Sequence, residues 1–245
     1  MGKFMKSFNF FLVISLILLL NILNCSSEKK QIDTMDKTTI KLSEPKLKSN
    51  VSIEEALQQR RSVREFAEEP LTLQEISQLL WAAYGITQHT VNGPDFLRGG
   101  FRTAPSAGAL YPLEFYVITG DVDGLEPGIY HYNSEKHELS KILDGDKRKD
   151  ISEAALQQEM FVSAPATIVI TAEVARTASK YGARGREHYV WLEAGHSAQN
   201  ICLQCVSLNL GTCTVGAFDD SKIIRVLNLK GEEEPVYLLP LGRKR

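Results

Sequence analysis

Arg60-Arg61-Ser62-Val63-Arg64 packs three guanidinium groups and a hydroxyl into five residues. Guanidinium matches the oxygens of a phosphate monoester in bidentate geometry, so this run carries the chemistry of an anion grip. Further along, Pro105-Ser106-Ala107-Gly108-Ala109-Leu110-Tyr111-Pro112 offers small residues that let backbone amides approach a flat ligand closely. There is no GxGxxG after a strand, no GxxxxGK followed by Ser or Thr, and no His/Glu metal motif. The Rossmann, P-loop and metalloenzyme readings lose their usual signatures. A mononucleotide held by arginines and a small-residue loop is the economical reading that remains.

Two later runs are also rich in small or basic residues, Gly211-Thr212-Cys213-Thr214-Val215-Gly216-Ala217-Phe218 and Gly242-Arg243-Lys244-Arg245. Lys180-Tyr181 places a cation beside a phenol, and a neighbouring cation lowers a tyrosine pKa toward the range where it acts as a base. The competing reading is an exposed lysine beside a tyrosine that packs on the core. His196 is read as a packed, hydrogen-bonded histidine. Cys202 and Cys205 form a CxxC in mid-helix and, with Cys213, are read as buried structural thiols.

The elements that must position these groups follow from local signals. Ser52-Ile53-Glu54-Glu55 is a capping box that predicts a helix over 53–59, with the arginine run at its C-terminal end. Thr72-Leu73-Gln74-Glu75 is a second box, followed by Ile76, Leu79, Leu80, Ala83 and Tyr84 at helical spacing and by Gly85 placed to stop the helix. Residues 86–104 read as a long polar loop on the substrate side. Strands are predicted over 115–119, 128–132 and 166–171. Val190, Ala194, Ala198, Ile201, Cys205 and Leu208 mark one face of a helix over 187–210, a face thinned by Gly195 and the alanines. A strand over 212–218, a helix over 220–227 capped by Asp219 and a strand over 236–241 complete the set. Helices and strands are interspersed without regular alternation, which predicts α+β rather than doubly wound α/β.

Lys3 and Lys6 precede an apolar run from Phe10 to Leu20 broken only by Ser15, and Cys25 follows Asn24. This is the layout of an export signal ending in a lipoprotein-like cysteine. Residues 1–25 are expected to be that signal, with Cys25 lipidated and the protein exported and membrane-tethered; the competing reading is an uncleaved anchor. Residues 26–50 are polar and read as a flexible linker, leaving 51–245 as one domain large enough for a sizeable core. A formal net charge of −2 argues against a nucleic-acid-binding surface.

In combination and in this order, Arg60 to Phe66, Pro105 to Pro112, Lys180 to Gly185, Glu193 to Asn200 and Leu238 to Gly242 resemble the FMN-dependent nitroreductase family. Within it they look like the SagB-type (ThcOx-like) dehydrogenase branch, over about residues 52–245. The resemblance implies an α+β fold with a central, mostly antiparallel sheet flanked by helices, forming a homodimer with FMN at the subunit interface. By this likeness Arg60, Ser62 and Arg64, with Arg61 nearby, grip the FMN phosphate and ribityl chain. Pro105, Ser106, Ala107 and Gly108 would come from the other subunit beside the isoalloxazine ring. The backbone of Val215, Gly216 and Ala217 would face flavin N5, and Arg243 and Arg245 would close on the phosphate. Lys180 and Tyr181 match a pair that helps remove the proton accompanying hydride loss in azoline-oxidising relatives. The implied function is an FMN-dependent oxidoreductase of a small molecule, with NAD(P)H as candidate donor, either reducing nitro or quinone groups or dehydrogenating a heterocycle. The alternative is a membrane-tethered, non-catalytic flavin- or ligand-binding lipoprotein.

Overall fold

The computed structural model describes residues 39–90 and 93–245; the expected signal, Cys25 and linker residues 26–38 lie outside them. Strand β1 (Thr39–Lys41) precedes helix α1 (Ile53–Gln59), β2 (Leu71–Thr72), α2 (Leu73–Tyr84), β3 (Ile86–His89) and β4 (Gly100–Arg102). Next come β5 (Leu113–Thr119), β6 (Val122–Asp123), β7 (Gly128–Asn133), β8 (Glu138–Asp144), α3 (Arg148–Ala154) and α4 (Met160–Ser163). The remainder holds β9 (Ala166–Glu173), α5 (Val174–Arg184), α6 (Val190–Ser207), β10 (Leu210–Thr212), α7 (Asp220–Leu227) and β11 (Glu233–Arg243). Among the described residues no helix is long and apolar enough to cross a membrane.

Seven strands form one sheet in the order β1-β8-β7-β5-β9-β11-β10, and each neighbouring pair is antiparallel. The expected α+β class is observed. Strands β5 and β9 are buried almost throughout because helices cover both faces of the sheet, which is why they read as continuous apolar runs. On one face Phe115, Val117, Ile168 and Ile170 pack with residues of α2 and α6. On the other, Tyr116, Ile118 and Val169 meet Ile151 of α3, Phe161 of α4 and Ile223 of α7. The caps act as the sequence predicts: Ser52 accepts from the Glu55 N–H, and Asp219 from the Lys222 N–H. At Thr72 the box is reciprocal, with Glu75 reaching back to the Thr72 N–H.

Four expectations need correction. Residues 39–50 are not linker: β1 pairs with β8, Leu42 is buried, and the Lys46 N–H donates to Gln78 Oε1. The loop expected over 86–104 contains the β3–β4 hairpin, stabilised by backbone pairing that a polar sequence does not advertise. The strand expected over 212–218 ends at Thr212, after which only Val215 bridges to Leu238. Gly195 and His196 face outward on α6, not into the core.

Candidate functional site

The arginine run lies against the free edge of β10. Ser62 forms a parallel bridge with Thr212, the Val63 N–H donates to Thr212 O at 2.9 Å, and Phe66 bridges Lys244. This approach requires glycine at 211, where a Cβ would stand 2.7 Å from Val63 Cγ1. Alternation along an extended chain then sorts the side chains. Arg64 and Arg245 line a cavity of about 300 Å³ together with Phe66 and Met160. Arg61 lies on the other side with Val63 and Lys244, on a cavity of about 100 Å³. Arg61 Nη1 folds back onto Gln58 O at 3.0 Å and Arg60 O at 2.7 Å, carbonyls at the end of α1. Arg61 therefore does not join Arg64, contrary to a single four-residue cluster.

Arg243 is also diverted. Its Nη1 and Nη2 hold both oxygens of Glu75, at 2.6 and 3.1 Å, so the guanidinium fork is already filled by the acid of the α2 capping box. The cations of the C-terminal run left open to solvent are Lys244 and Arg245. The Val215 N–H donates to Leu238 O at 2.9 Å, which removes it from the amides available to a ligand. The N–H groups of Gly216 and Ala217, both exposed, make no hydrogen bond among the described residues. Cys202, Cys205 and Cys213 are free and buried, and burial pushes all three thiols up, away from reactivity.

The second group is built around the loop from Pro105 to Tyr111. Gly108, Ala109 and Tyr111 have φ of 64°, 55° and 47°, a left-handed conformation that costs energy at alanine and tyrosine. The surroundings enforce it. Ser106 Oγ accepts from the Tyr111 N–H at 3.0 Å, and Arg98 and Arg176 each donate to Tyr111 O at 3.2 Å. The Arg102 guanidinium lies 4.1 Å from the Tyr111 ring centroid. Arg98 and Arg176 also pair with buried Glu114, at 3.0 and 2.6 Å, and His131 lies 2.9 Å from it. Burial works against that carboxylate, but His131, Arg98 and Arg176 hold it down at about 2.

Lys180 and Tyr181 lie in α5 immediately before Gly182, whose φ of 57° kinks the helix. They stand directly over Gly108. Lys180 Nζ lies 5.4 Å from the Tyr181 ring centroid, and the Tyr189 ring abuts Tyr181 edge-on at 5.1 Å. Behind the loop sits Glu193 of α6, 2% exposed, which accepts from Tyr84 Oη at 2.5 Å and whose carboxyl burial raises to about 7. Glu193 was not among the sequence candidates. Its signal was helical phase: a carboxyl three residues after Val190 and next to Ala194 falls on the core face. Among the described residues no hydrogen bond or ion pair joins the arginine edge to the Pro105 loop.

A large antiparallel sheet with helices on both faces, an arginine-lined edge and a strained small-residue loop define the nitroreductase-like α+β class. The family model for the Nitroreductase family matches residues 57–243, and the chain belongs to that family. A Methanocaldococcus jannaschii protein described as a nitroreductase is 46% identical over 194 residues, 79% of this chain and 92% of that protein. The trifolitoxin operon protein TfxC of Rhizobium leguminosarum bv. trifolii is 28% identical over 77% of this chain and 54% of its own length, which supports the SagB-like branch. A crystal structure described as a nitroreductase of Anabaena variabilis superposes with a TM-score of 0.72 at 29% identity. That match covers 86% of this chain, which spans only 42% of the Anabaena protein.

Proposed function

We propose that the chain is an FMN-dependent oxidoreductase of SagB type that acts on a small molecule as a homodimer. The observation that carries this is the arginine run laid along the free edge of β10, with Arg64 and Arg245 lining one cavity, together with two unbonded backbone N–H groups at Gly216 and Ala217 in the segment that follows β10. Arg60, Ser62, Arg64 and Arg245 fit a phosphate dianion, and the amides fit an acceptor atom of a planar ring. FMN, when bound, supplies hydride transfer at its N5 atom. Everything else is the task of side chains.

Tyr181 Oη and Lys180 Nζ, placed over Gly108, are the groups proposed to take or hold a proton at the substrate. This favours dehydrogenation coupled to proton removal, in which the substrate C–H would give its hydride to the flavin and an oxidised acceptor would take it away; NAD(P)H is the candidate donor for the alternative, nitro or quinone reduction. Completion of the site by a second subunit is part of the proposal, and it accords with the lack of any hydrogen bond or ion pair between the arginine edge and the Pro105 loop among the described residues. Export and membrane tethering through Cys25 are part of the proposal, supported by Lys3, Lys6 and the apolar run up to Leu20.

Purified full-length protein is expected to be yellow and to be stabilised by added FMN; loss of its visible flavin band on adding NADH or NADPH would favour the nitro- or quinone-reducing alternative over dehydrogenation. Colourless protein whose thermal midpoint ignores FMN would refute the enzyme and favour a non-catalytic binding lipoprotein.

A further inference from the structure

Helix α5 carries Lys180 and Tyr181, yet apolar packing holds little of it, since Val174 and Thr177 are its buried side chains. Among the described residues, the side-chain hydrogen bonds and ion pairs that run from α5 to other elements all start at Arg176. Arg176 Nη1 donates to Glu114 Oε1 at 2.6 Å and to Tyr111 O at 3.2 Å, and Nη2 lies 3.5 Å from Glu173 Oε2. Arg176 and Lys180 are four residues apart and share one face of the helix. One turn separates this tether from the ammonium that stands over Gly108.

Glu114 is the other half of the tether. It is buried on β5, the fourth of the seven strands, and both of its oxygens are committed. Oε1 meets Arg176 and Arg98, and Oε2 meets His131 Nε2 at 2.9 Å. Arg98 comes from the segment before β4 and donates to the same Tyr111 carbonyl as Arg176 does. One carboxylate on a rigid strand thus joins the sheet, α5 and the loop that ends at Tyr111. Charge-assisted bonds to a guanidinium fix orientation as well as distance.

We infer that Glu114 is a positioning residue that, through Arg176, fixes α5 against the Pro105 loop and so holds Lys180 Nζ and Tyr181 Oη above Gly108. The role of that pair in proton transfer rests on the function proposed above; the tether is a property of this chain. Gly182 kinks the helix just beyond the pair, which interrupts the restraint that a continuous helix would carry from the C-terminal side.

The test is hydrogen exchange of full-length protein, read by mass spectrometry over residues 174–184, in Arg176→Met and Arg98→Met. Each variant takes one guanidinium from Glu114, but only Arg176 belongs to α5. Exchange across α5 should quicken by roughly tenfold to a hundredfold in Arg176→Met and stay within about twofold of wild type in Arg98→Met. Glu114→Gln keeps the shape and removes the charge, so it should behave as Arg176→Met does. If it does not fold, Arg176→Met, at a partly exposed position, carries the test. Equal acceleration in the two arginine variants, or none in Arg176→Met, overturns the tether.

A double-mutant cycle supplies the functional readout. Arg176→Met should lower kcat by roughly tenfold with flavin content unchanged. In a background that already carries Lys180→Met and Tyr181→Phe it should lower the residual turnover by less than about twofold, because its effect passes through those two groups. An equal loss in both backgrounds overturns the positioning role. If the wild type neither binds flavin nor turns over, the oxidoreductase reading fails, and hydrogen exchange still decides the tether.

Discussion

A Cβ on Gly108 would stand 2.7 Å from the Tyr181 hydroxyl and 3.0 Å from Lys180 Nζ, so glycine at 108 is the floor on which the Lys-Tyr pair rests. Its φ of 64° adds a second demand that alanine meets only with strain. Gly108→Ala should lower stability by about 1–2 kcal/mol from the backbone alone. It should cut turnover further by pushing Tyr181 aside. Tyr181→Phe removes the hydroxyl while keeping the ring against Tyr189, so it should slow turnover and leave flavin content unchanged. Normal turnover in Tyr181→Phe reduces the pair to packing.

The arginines divide into two kinds, and substitution should separate them. Arg60→Ala and Arg64→Ala each remove a charge-assisted contact worth about 1.5–3 kcal/mol, which weakens FMN binding roughly tenfold to a hundredfold. Arg243→Ala acts on the fold, because it strips Glu75 of its two guanidinium bonds. Its thermal midpoint should fall while the folded fraction keeps its flavin. Equilibrium dialysis and thermal melts of the three variants distinguish these outcomes. An Arg243→Ala protein with intact stability and no flavin would return that residue to the phosphate.

Glu193 and Glu114 should shape the two limbs of the stability curve. Glu193 is raised in the fold from an ordinary 4.5 to about 7, so the native state binds the proton more tightly. Its contribution is complete below about 4.5 and is lost as pH rises through about 7, a swing of about 3 kcal/mol at most. Glu114 is held down at about 2, so its contribution is complete above about 4.5 and is lost as pH falls toward 2. Thermal melts across pH should therefore decline on both sides. Glu193→Gln should flatten the neutral limb and Glu114→Gln the acid limb; a neutral limb unchanged in Glu193→Gln contradicts the assignment.

What the sequence reveals about this fold is mostly what is local. Ser52, Thr72 and Asp219 announce their helices because the capping bond spans three residues. Strands β5 and β9 announce themselves because burial on both faces demands unbroken apolar runs. Strand β8 did not, since Leu139 is its one fully buried side chain and the alternation is faint. Strand β1 lies in polar sequence and exists because the edge of β8 pairs with it, a long-range cause. The candidate site shows the same division. The separation of Arg61 from Arg64 was readable from period-two alternation, whereas the capture of Arg243 by a glutamate 168 residues away was not.

The outward face of α6 carries Trp191 at 43% exposure, Leu192 at 60%, and Gly195 with open space where a Cβ would be. Large apolar side chains beside a glycine on a helix surface are suited to close packing against another subunit. Leu192→Asp should therefore yield a monomer by sedimentation, because a carboxylate placed in an apolar contact is costly to desolvate. The same variant tests how the site is assembled. The arginine edge and the Pro105 loop are each internally bonded but not bonded to one another within a chain. If two subunits supply one site, the monomer keeps its fold, keeps its carboxyl titration at Glu193 and loses its flavin together. A monomer that retains FMN at wild-type affinity would place both groups around the ligand within a single chain, and the dimer would be dispensable for binding.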